Sequence, residues 1–294
     1  MKAVVISNCV TAAYYNTLRS LFPDWEIKAA GINESLRWLE SGEKPQFLDY
    51  LESCDLFVGL PIQDNRIDAH LNPSAERVYI PELYFRGLHP DIALANGVWG
   101  PFSEDTPHTQ VSLIVLAAYL LGKTVAEAEA YFRRDCYVAL GYPDLFEAER
   151  IRLCDQFDLH GIDIRDEFQH WQSQGDFFYI CHHPRSYVLV DIIRSAFKKR
   201  LSFNEHRASE SLRTSVPDHL SWSESWPVYP ELASMRGFAG SLSWKWPDNA
   251  RTQRLGLSAM IKISYDGLEK SSSEWRDLDF VRRAATVLSE MGRT

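Results

Sequence analysis

Cys9 is a small thiol set between two structure-forming stretches. Ala3-Val4-Val5-Ile6 before it is short, apolar and β-branched, as a buried strand requires, and Thr11 to Leu21 after it has helical apolar spacing at Leu18 and Leu21. Ser7 and Asn8 complete the junction. A thiol at the carboxyl edge of a sheet faces the place where open α/β folds bind ligands. Beside a helix N-terminus it also meets unpaired N–H groups and a dipole that favour thiolate. The competing reading is a buried cysteine packing as a small apolar residue, and spacing alone leaves both open.

Three further groups of polar residues follow predicted strands or lie in dense loops. Pro61 to Arg66 (PIQDNR) places Gln63 and Arg66 after the strand 55–60, and His182-His183-Pro184-Arg185 ends the strand 176–181. The loop Pro81 to Asp91 holds Tyr84, Arg86, His89 and Asp91 between prolines, and His108 lies in the Gly-, Pro- and Ser-rich stretch 96–109. A thiol and a histidine at neighbouring strand ends make a nucleophile and a base, while Asn8, Gln63 and backbone N–H groups supply donors for a developing oxyanion. That set suits acyl transfer. A histidine at a strand end is equally compatible with a hydrogen-bonded structural role.

The elements that must position these groups alternate strand and helix. Strands are expected over 3–6, 25–30, 55–60 and 77–80, with helices over 11–21, 35–39 and 47–54 between them, which implies a parallel sheet covered on both faces. From 108 to about 199 the pattern is mostly helical: Val111 to Leu121 reads as one helix, Thr124 and Glu127 have capping-box spacing, and 145–159, 164–174 and 187–197 are helical. Beyond 200 Ser, Trp and Pro dominate, with Trp226 to Pro230 extended, 255–264 either strand or helix, and a terminal helix over 273–291. The expected division is an α/β core over 1–200, with a helical insertion around 108–174, and a Trp-rich extension over 201–294.

Composition narrows the class. The chain has 294 residues, 45% of them hydrophobic and 24% charged, as in an ordinary globular protein. A net charge of −9 without a long basic stripe argues against nucleic acid as a partner. Five cysteines, Cys9, Cys54, Cys136, Cys154 and Cys181, lack paired or CxxC spacing, so neither a disulfide framework nor a zinc site is expected. The longest apolar stretch is too short to span a bilayer, and no leader pattern precedes the first strand, so the expected location is cytoplasmic.

Ser7-Asn8-Cys9, Leu60-Pro61-Ile62 with Arg66, Ile80-Pro81-x-x-Tyr84-Phe85-x-Gly87-x-His89-Pro90-Asp91, the His108 helix ending in Gly122, His183-Pro184 and Pro227-Val228-Tyr229-Pro230 together resemble the WcbI-type polysaccharide biosynthesis proteins over residues 1–235. The family pattern continues Asn-Cys-Gln where this chain has Val10. The resemblance implies a coenzyme A-binding acetyltransferase acting on a capsular or surface polysaccharide precursor. It places Cys9, His89 and His183 in the cleft as catalytic candidates and Arg66, Tyr84, Asp91 and His108 near it. It also implies a three-layer α/β sandwich, SGNH-hydrolase-like or flavodoxin-like in layout, in which Cys9 stands where the hydrolase serine would stand.

Acetyl-coenzyme A is polyanionic, so an acidic chain must gather local positive charge for it. Arg66, Arg86, Arg185 and the Lys198 to Arg200 run are candidates, alongside Asn8 and Gln63 as polar contacts. The acceptor would be a small molecule or oligosaccharide. Two other functions fit the same residues: a Cys-dependent esterase or deacylase, and a non-catalytic ligand-binding subunit of a polysaccharide assembly complex. The tryptophans after 220 are expected mostly in the core, with flat surface for a sugar or adenine as the alternative.

Overall fold

Val4, Val5 and Ile6 are inaccessible to solvent, and such a continuous apolar run forms a strand covered on both faces. That strand, β1 (Lys2–Ser7), is central to a four-stranded parallel sheet with β2 (Glu26–Gly31), β3 (Leu56–Gly59) and β4 (Glu76–Tyr79) in the order β2-β1-β3-β4. Burial follows position: all four residues of β3 are buried, whereas the edge strands β2 and β4 each bury one. The connecting helices are α1 (Thr11–Leu21), α2 (Ile32–Ser41), α3 (Pro45–Ser53) and α4 (Arg66–His70). The computed structural model describes residues 1–61, 65–95, 98, 110–198, 213, 216–248 and 251–292.

Strands β5 (Ile92–Leu94) and β6 (Gln110–Ser112) come next, followed by α5 (Leu113–Leu120), α6 (Val125–Glu129), α7 (Arg134–Ala139), α8 (Tyr142–Asp158) and α9 (Arg165–Ser173). The chain then forms β7 (Phe178–Ile180), α10 (Ser186–Phe197), α11 (Pro230–Ser234), β8 (Ser243–Asp248), β9 (Arg251–Gly256), α12 (Leu257–Lys270) and α13 (Asp279–Met291).

Two compact units divide these elements. The first comprises residues 1–84, 152–173 and 182–221; the second comprises 85–151, 174–181 and 222–294. In the first, Val4 and Ile6 of β1 join Phe47, Tyr50, Leu51, Phe57, Ile67 and Leu71 in one apolar cluster under α3 and α4. Helix α1 packs on α10 and on β2. In the second, β5 and β6 form an antiparallel pair, α5 packs on α13, and β8 and β9 form an antiparallel hairpin. Val111, Leu116, Leu268, Trp275 and Val281 belong to its apolar cluster.

The parallel sheet and its helices match the α/β expectation. Two segments differ. Residues 111–112 belong to strand β6, not to a helix, because Val111 pairs with Ala93 and Ser112 with Ile92 before α5 begins. The ambiguous stretch 255–264 ends a strand at Gly256 and starts a helix at Leu257. The capping box is present: Glu127 N–H donates to Thr124 Oγ1, and Thr124 N–H donates to Glu127 Oε2. Among the described residues no helix is long and apolar enough to cross a membrane.

Candidate active site

Helices that connect consecutive parallel strands cross over right-handedly, so a reversal of strand order opens a crevice at the carboxyl ends. Here the order reverses at β1, between β2 and β3. The turn after β1 carries Cys9. Asn8 shapes that turn: its carbonyl accepts from Thr11 N–H at 3.1 Å and Thr11 Oγ1 at 2.7 Å, and its Oδ1 accepts from Val10 N–H at 3.3 Å and the Cys9 thiol at 3.8 Å. Asn8 Nδ2 in turn donates to Glu82 Oε1 at 3.4 Å. Asn8 thus fixes the thiol at the start of α1. Cys9 is exposed, while Cys54, Cys136, Cys154 and Cys181 are buried. The packing alternative for Cys9 is therefore removed.

His182 and His183 lie in the same unit as Cys9, directly ahead of α10. The strand before them, β7, is outside the four-stranded sheet, so their likeness to the Cys9 turn lies in the helix that follows. Their relation to Cys9 follows from helix direction. Phe22, just past α1, and Phe197, the last residue of α10, meet with ring centroids 5.7 Å apart. Ahead of that contact along both helices, consecutive residues tie them: the N–H of Ser186, first in α10, donates to Asp218 Oδ2 at 3.3 Å, and Asn16 Nδ2, midway along α1, lies 2.8 Å from His219 Nε2. Helices α1 and α10 therefore run side by side in one direction. Their axes are about 8–10 Å apart by ordinary packing, and Cys9 and His183 stand at the same end of the pair.

Burial sets the protonation of the histidines. His183 is pushed down to about 4 by burial and then by the neighbouring His182, whose ring lies 4.1 Å away. His182 is also lowered by burial. Both are neutral at pH 7, so each offers a nitrogen lone pair to a proton. Of the two helix N-termini at this end, that of α10 already holds an anionic group, the Asp218 carboxylate on the Ser186 N–H.

The remaining candidates of this unit are placed as follows. Arg66 opens α4 and pairs with Glu40. Tyr84 has the Arg152 guanidinium 6.0 Å from its ring centre and its carbonyl accepting from Arg152. Arg185 is the residue capping α10, without a side-chain cap bond. Gln63 and His108 lie outside the described residues.

His89 and Asp91 belong to the second unit. His89 is buried, and its Nε2–H donates to the Trp226 carbonyl at 3.0 Å, which leaves the lone pair on Nδ1. Burial lowers its pKa, against the opposing pull of Asp176 and of that hydrogen bond. Asp91 is buried with four donors converging on it: Ser112 Oγ at 2.5 Å, Tyr229 Oη at 2.6 Å, Tyr142 Oη at 2.7 Å and Ile114 N–H at 3.0 Å. Burial raises its pKa even so, because four neutral donors lower it by less than desolvation raises it. The partners of Asp91 have no local sequence signal, being 21, 51 and 138 residues away for the three hydroxyls.

A second buried carboxylate escaped the sequence reading altogether. Asp191 on α10 accepts from Arg213 Nε at 2.7 Å and Nη2 at 3.0 Å, from Trp171 Nε1 at 2.9 Å and from Arg194 Nη1 at 3.3 Å. It anchors the helix that follows the histidines.

Comparison with known proteins agrees with this architecture. Residues 2–205 match the family described as polysaccharide biosynthesis enzyme WcbI. The fold is similar to a solved WcbI, with a TM-score of 0.69 and 14% sequence identity over 97% of this chain and 98% of that one. That structure is described as a novel polysaccharide biosynthesis enzyme, in its native form without a disulfide bond between coenzyme A and one of its cysteines. No curated protein matches the sequence.

Proposed function

The chain belongs to the WcbI polysaccharide biosynthesis family, and from that premise we propose that it transfers an acetyl group from acetyl-coenzyme A to a sugar hydroxyl of a capsular or surface polysaccharide precursor. The observation that carries this reading is the exposed thiol of Cys9 at the same end of a parallel helix pair as the neutral His183. The strand order β2-β1-β3-β4 supports a flavodoxin-like layout with its ligand crevice at that turn. The similar WcbI structure is described as the native protein without a disulfide bond between coenzyme A and one of its cysteines, and the mention of coenzyme A beside a cysteine supports coenzyme A as the cosubstrate.

Arg185, ahead of α10, is the cation for the phosphate charge of coenzyme A, because the first N–H of α10 already binds the Asp218 carboxylate and those of Val10 and Thr11 are taken by Asn8. Bound there, acetyl-coenzyme A supplies an activated acyl carbon. Two routes use these residues. In the covalent route His183 takes the Cys9 proton, the sulfur bonds to the acyl carbon, and the carbon–sulfur bond to coenzyme A breaks. His183 passes its proton to the leaving thiolate. The sugar hydroxyl then attacks acetyl-Cys9, His183 takes the hydroxyl proton, and that proton returns to the Cys9 sulfur as the acyl–sulfur bond breaks. In the direct route a histidine deprotonates the sugar hydroxyl for attack on the thioester, and Cys9 lines the pocket. His89, a catalytic candidate by family resemblance, is buried in the second unit, where Asp91 is a framework group.

Two measurements test the reading. Coenzyme A should raise the thermal midpoint selectively over ATP and NAD. No shift at saturating concentration would remove the proposal's support. Rapid mixing with labelled acetyl-coenzyme A without acceptor separates the routes: an acetyl adduct on Cys9 establishes the covalent one, while no adduct together with an active Cys9→Ala enzyme eliminates it.

A further inference from the structure

Strand β1 ends on a buried hydroxyl, that of Ser7, two residues before Cys9. Side chains alternate along a strand, and Val4 and Ile6 face the apolar cluster under α3 and α4, so Val5 and Ser7 face the other side. Helix α1 packs on β1 and β2 and contributes nothing to that cluster, so it covers the Ser7 side. Ser7 is 1% exposed, and its Oγ has no hydrogen-bond partner among the described residues. A buried hydroxyl left in this way costs free energy, which calls for a use.

Tyr14 carries a second such hydroxyl. It lies on the buried face of α1, is 2% exposed, and makes no side-chain hydrogen bond to a described residue. Long helical side chains lean toward the N-terminus of their helix, which carries this hydroxyl toward the Cys9 turn. Burial pushes the Tyr14 pKa up, and the nearby Cys9 thiolate pushes it further. The hydroxyl therefore keeps its proton and stays a donor within electrostatic reach of the sulfur.

The two protonation states of Cys9 need different neighbours. The thiol donates to Asn8 Oδ1 at 3.8 Å, a bond that ends when the proton leaves. The thiolate can only accept. The next N–H groups along the turn are already taken, that of Val10 by Asn8 Oδ1 and that of Thr11 by the Asn8 carbonyl. We propose that the hydroxyls of Ser7 and Tyr14 turn to the Cys9 sulfur when it ionises and hold the thiolate, which makes both of them positioning residues for the nucleophile. The other charged and titratable groups of this unit placed there are Glu82 on Asn8 Nδ2, His182, His183 and Arg185 ahead of α10, and Asp218 on its first N–H. The inference rests on the acyltransferase reading for its part in turnover, but not for the ionisation of the thiol.

The test is the pH profile of iodoacetamide alkylation of Cys9 in the full chain, read by peptide mass spectrometry. Cys9 is exposed and the other four cysteines are buried, so the reagent reports on this sulfur. Tyr14→Phe and Ser7→Ala each remove one oxygen. In each, the alkylation midpoint should rise by about one pH unit, and the rate well below the midpoint should fall about tenfold. A merely structural hydroxyl would act in the opposite sense: its loss would loosen the turn and speed labelling of Cys9 and of buried Cys54 at an unchanged midpoint. An unchanged midpoint in one variant overturns the inference for that hydroxyl, and in both it overturns the inference outright. Coenzyme A takes no part in this measurement. Raised midpoints without a coenzyme A thermal shift would sustain the inference and defeat the acyltransferase proposal, while unchanged midpoints with a selective shift would do the reverse.

Discussion

Family resemblance singles out both Asp91 and Cys9 as candidate site residues, yet their surroundings are opposite. Asp91, in the second unit, is buried and accepts four hydrogen bonds, about the number its two oxygens can take. Cys9, in the first, is exposed on a turn shaped by its neighbour Asn8. A carboxylate with all its acceptor positions occupied organises the segments that donate to it. An exposed thiol at the start of a helix contributes little to packing and is open to reagents. The contrast separates a buried framework residue from a solvent-exposed one.

The largest effect should come from emptying the framework site. Asp91→Ala leaves Ser112, Tyr142, Tyr229 and the Ile114 N–H without their shared acceptor, and should cost about 3–5 kcal/mol in denaturant unfolding. Asp91→Asn, which keeps one acceptor oxygen, should cost less than half of that. A loss below about 1 kcal/mol for Asp91→Ala would show that these donors find other partners and that Asp91 is not a framework group.

Protonation gives the second test. The folded-state pKa of His183 is depressed to about 4 from an unfolded value of 6.5. The unfolded chain therefore binds more protons between those values, and stability rises with pH across that window. The contribution is complete above pH 6.5 and is lost as pH falls through 4. Asp91 works the other way: its raised pKa means that the folded chain holds the extra proton just above the ordinary carboxylate value of 3.8, so its contribution declines as pH rises through that interval. His183→Asn should flatten the dependence between pH 4 and 6.5 by roughly 1–3 kcal/mol, as read from denaturation midpoints at a series of pH values. An unchanged slope would mean that His183 is not held neutral by the fold.

A smaller, graded effect belongs to each donor. Tyr142→Phe keeps the ring, stacked 6.0 Å from Tyr137, and removes one of four bonds to Asp91. It should cost about 1 kcal/mol. It should also raise the Asp91 pKa further, since that bond is among those holding it down. Carboxyl-carbon NMR titration of Asp91 in the two proteins measures the shift, and an equal or lower value in Tyr142→Phe would contradict the assigned hydrogen bond.

The parallel sheet was legible because a strand buried on both faces must be apolar throughout, and Ala3 to Ile6 and Leu56 to Val58 satisfy that with little ambiguity. The thiol at the end of β1 was legible for the same reason, since the strand fixed where its turn must lie. Val111 was misread because the pairing that makes it a strand comes from Ala93, and an apolar run alone is consistent with either element. The tryptophan expectation fits Trp226 and Trp244, which are buried, but not Trp222, which is exposed. The Asp91 and Asp191 sites depend on hydroxyls, an indole and a guanidinium brought in from distant positions, and no local pattern encodes such convergence.

The smallest change in stability, and the sharpest test of the contrast, belongs to Cys9. An exposed thiol removes little apolar area from water, and its 3.8 Å contact with Asn8 Oδ1 is at the long end for a sulfur donor. Cys9→Ala should therefore move the unfolding free energy by less than about 0.5 kcal/mol, close to a tenth of the Asp91→Ala cost. Its turnover separates the two routes. If the sulfur carries the acyl group, acetyl transfer to a sugar acceptor should fall by about a thousandfold or more, as expected when a nucleophile is deleted. If Cys9 only lines the pocket, transfer should change less than about tenfold and coenzyme A binding should weaken instead. A destabilisation comparable to that of Asp91→Ala would abolish the distinction between the two sites, because it would make the Cys9 turn part of the framework.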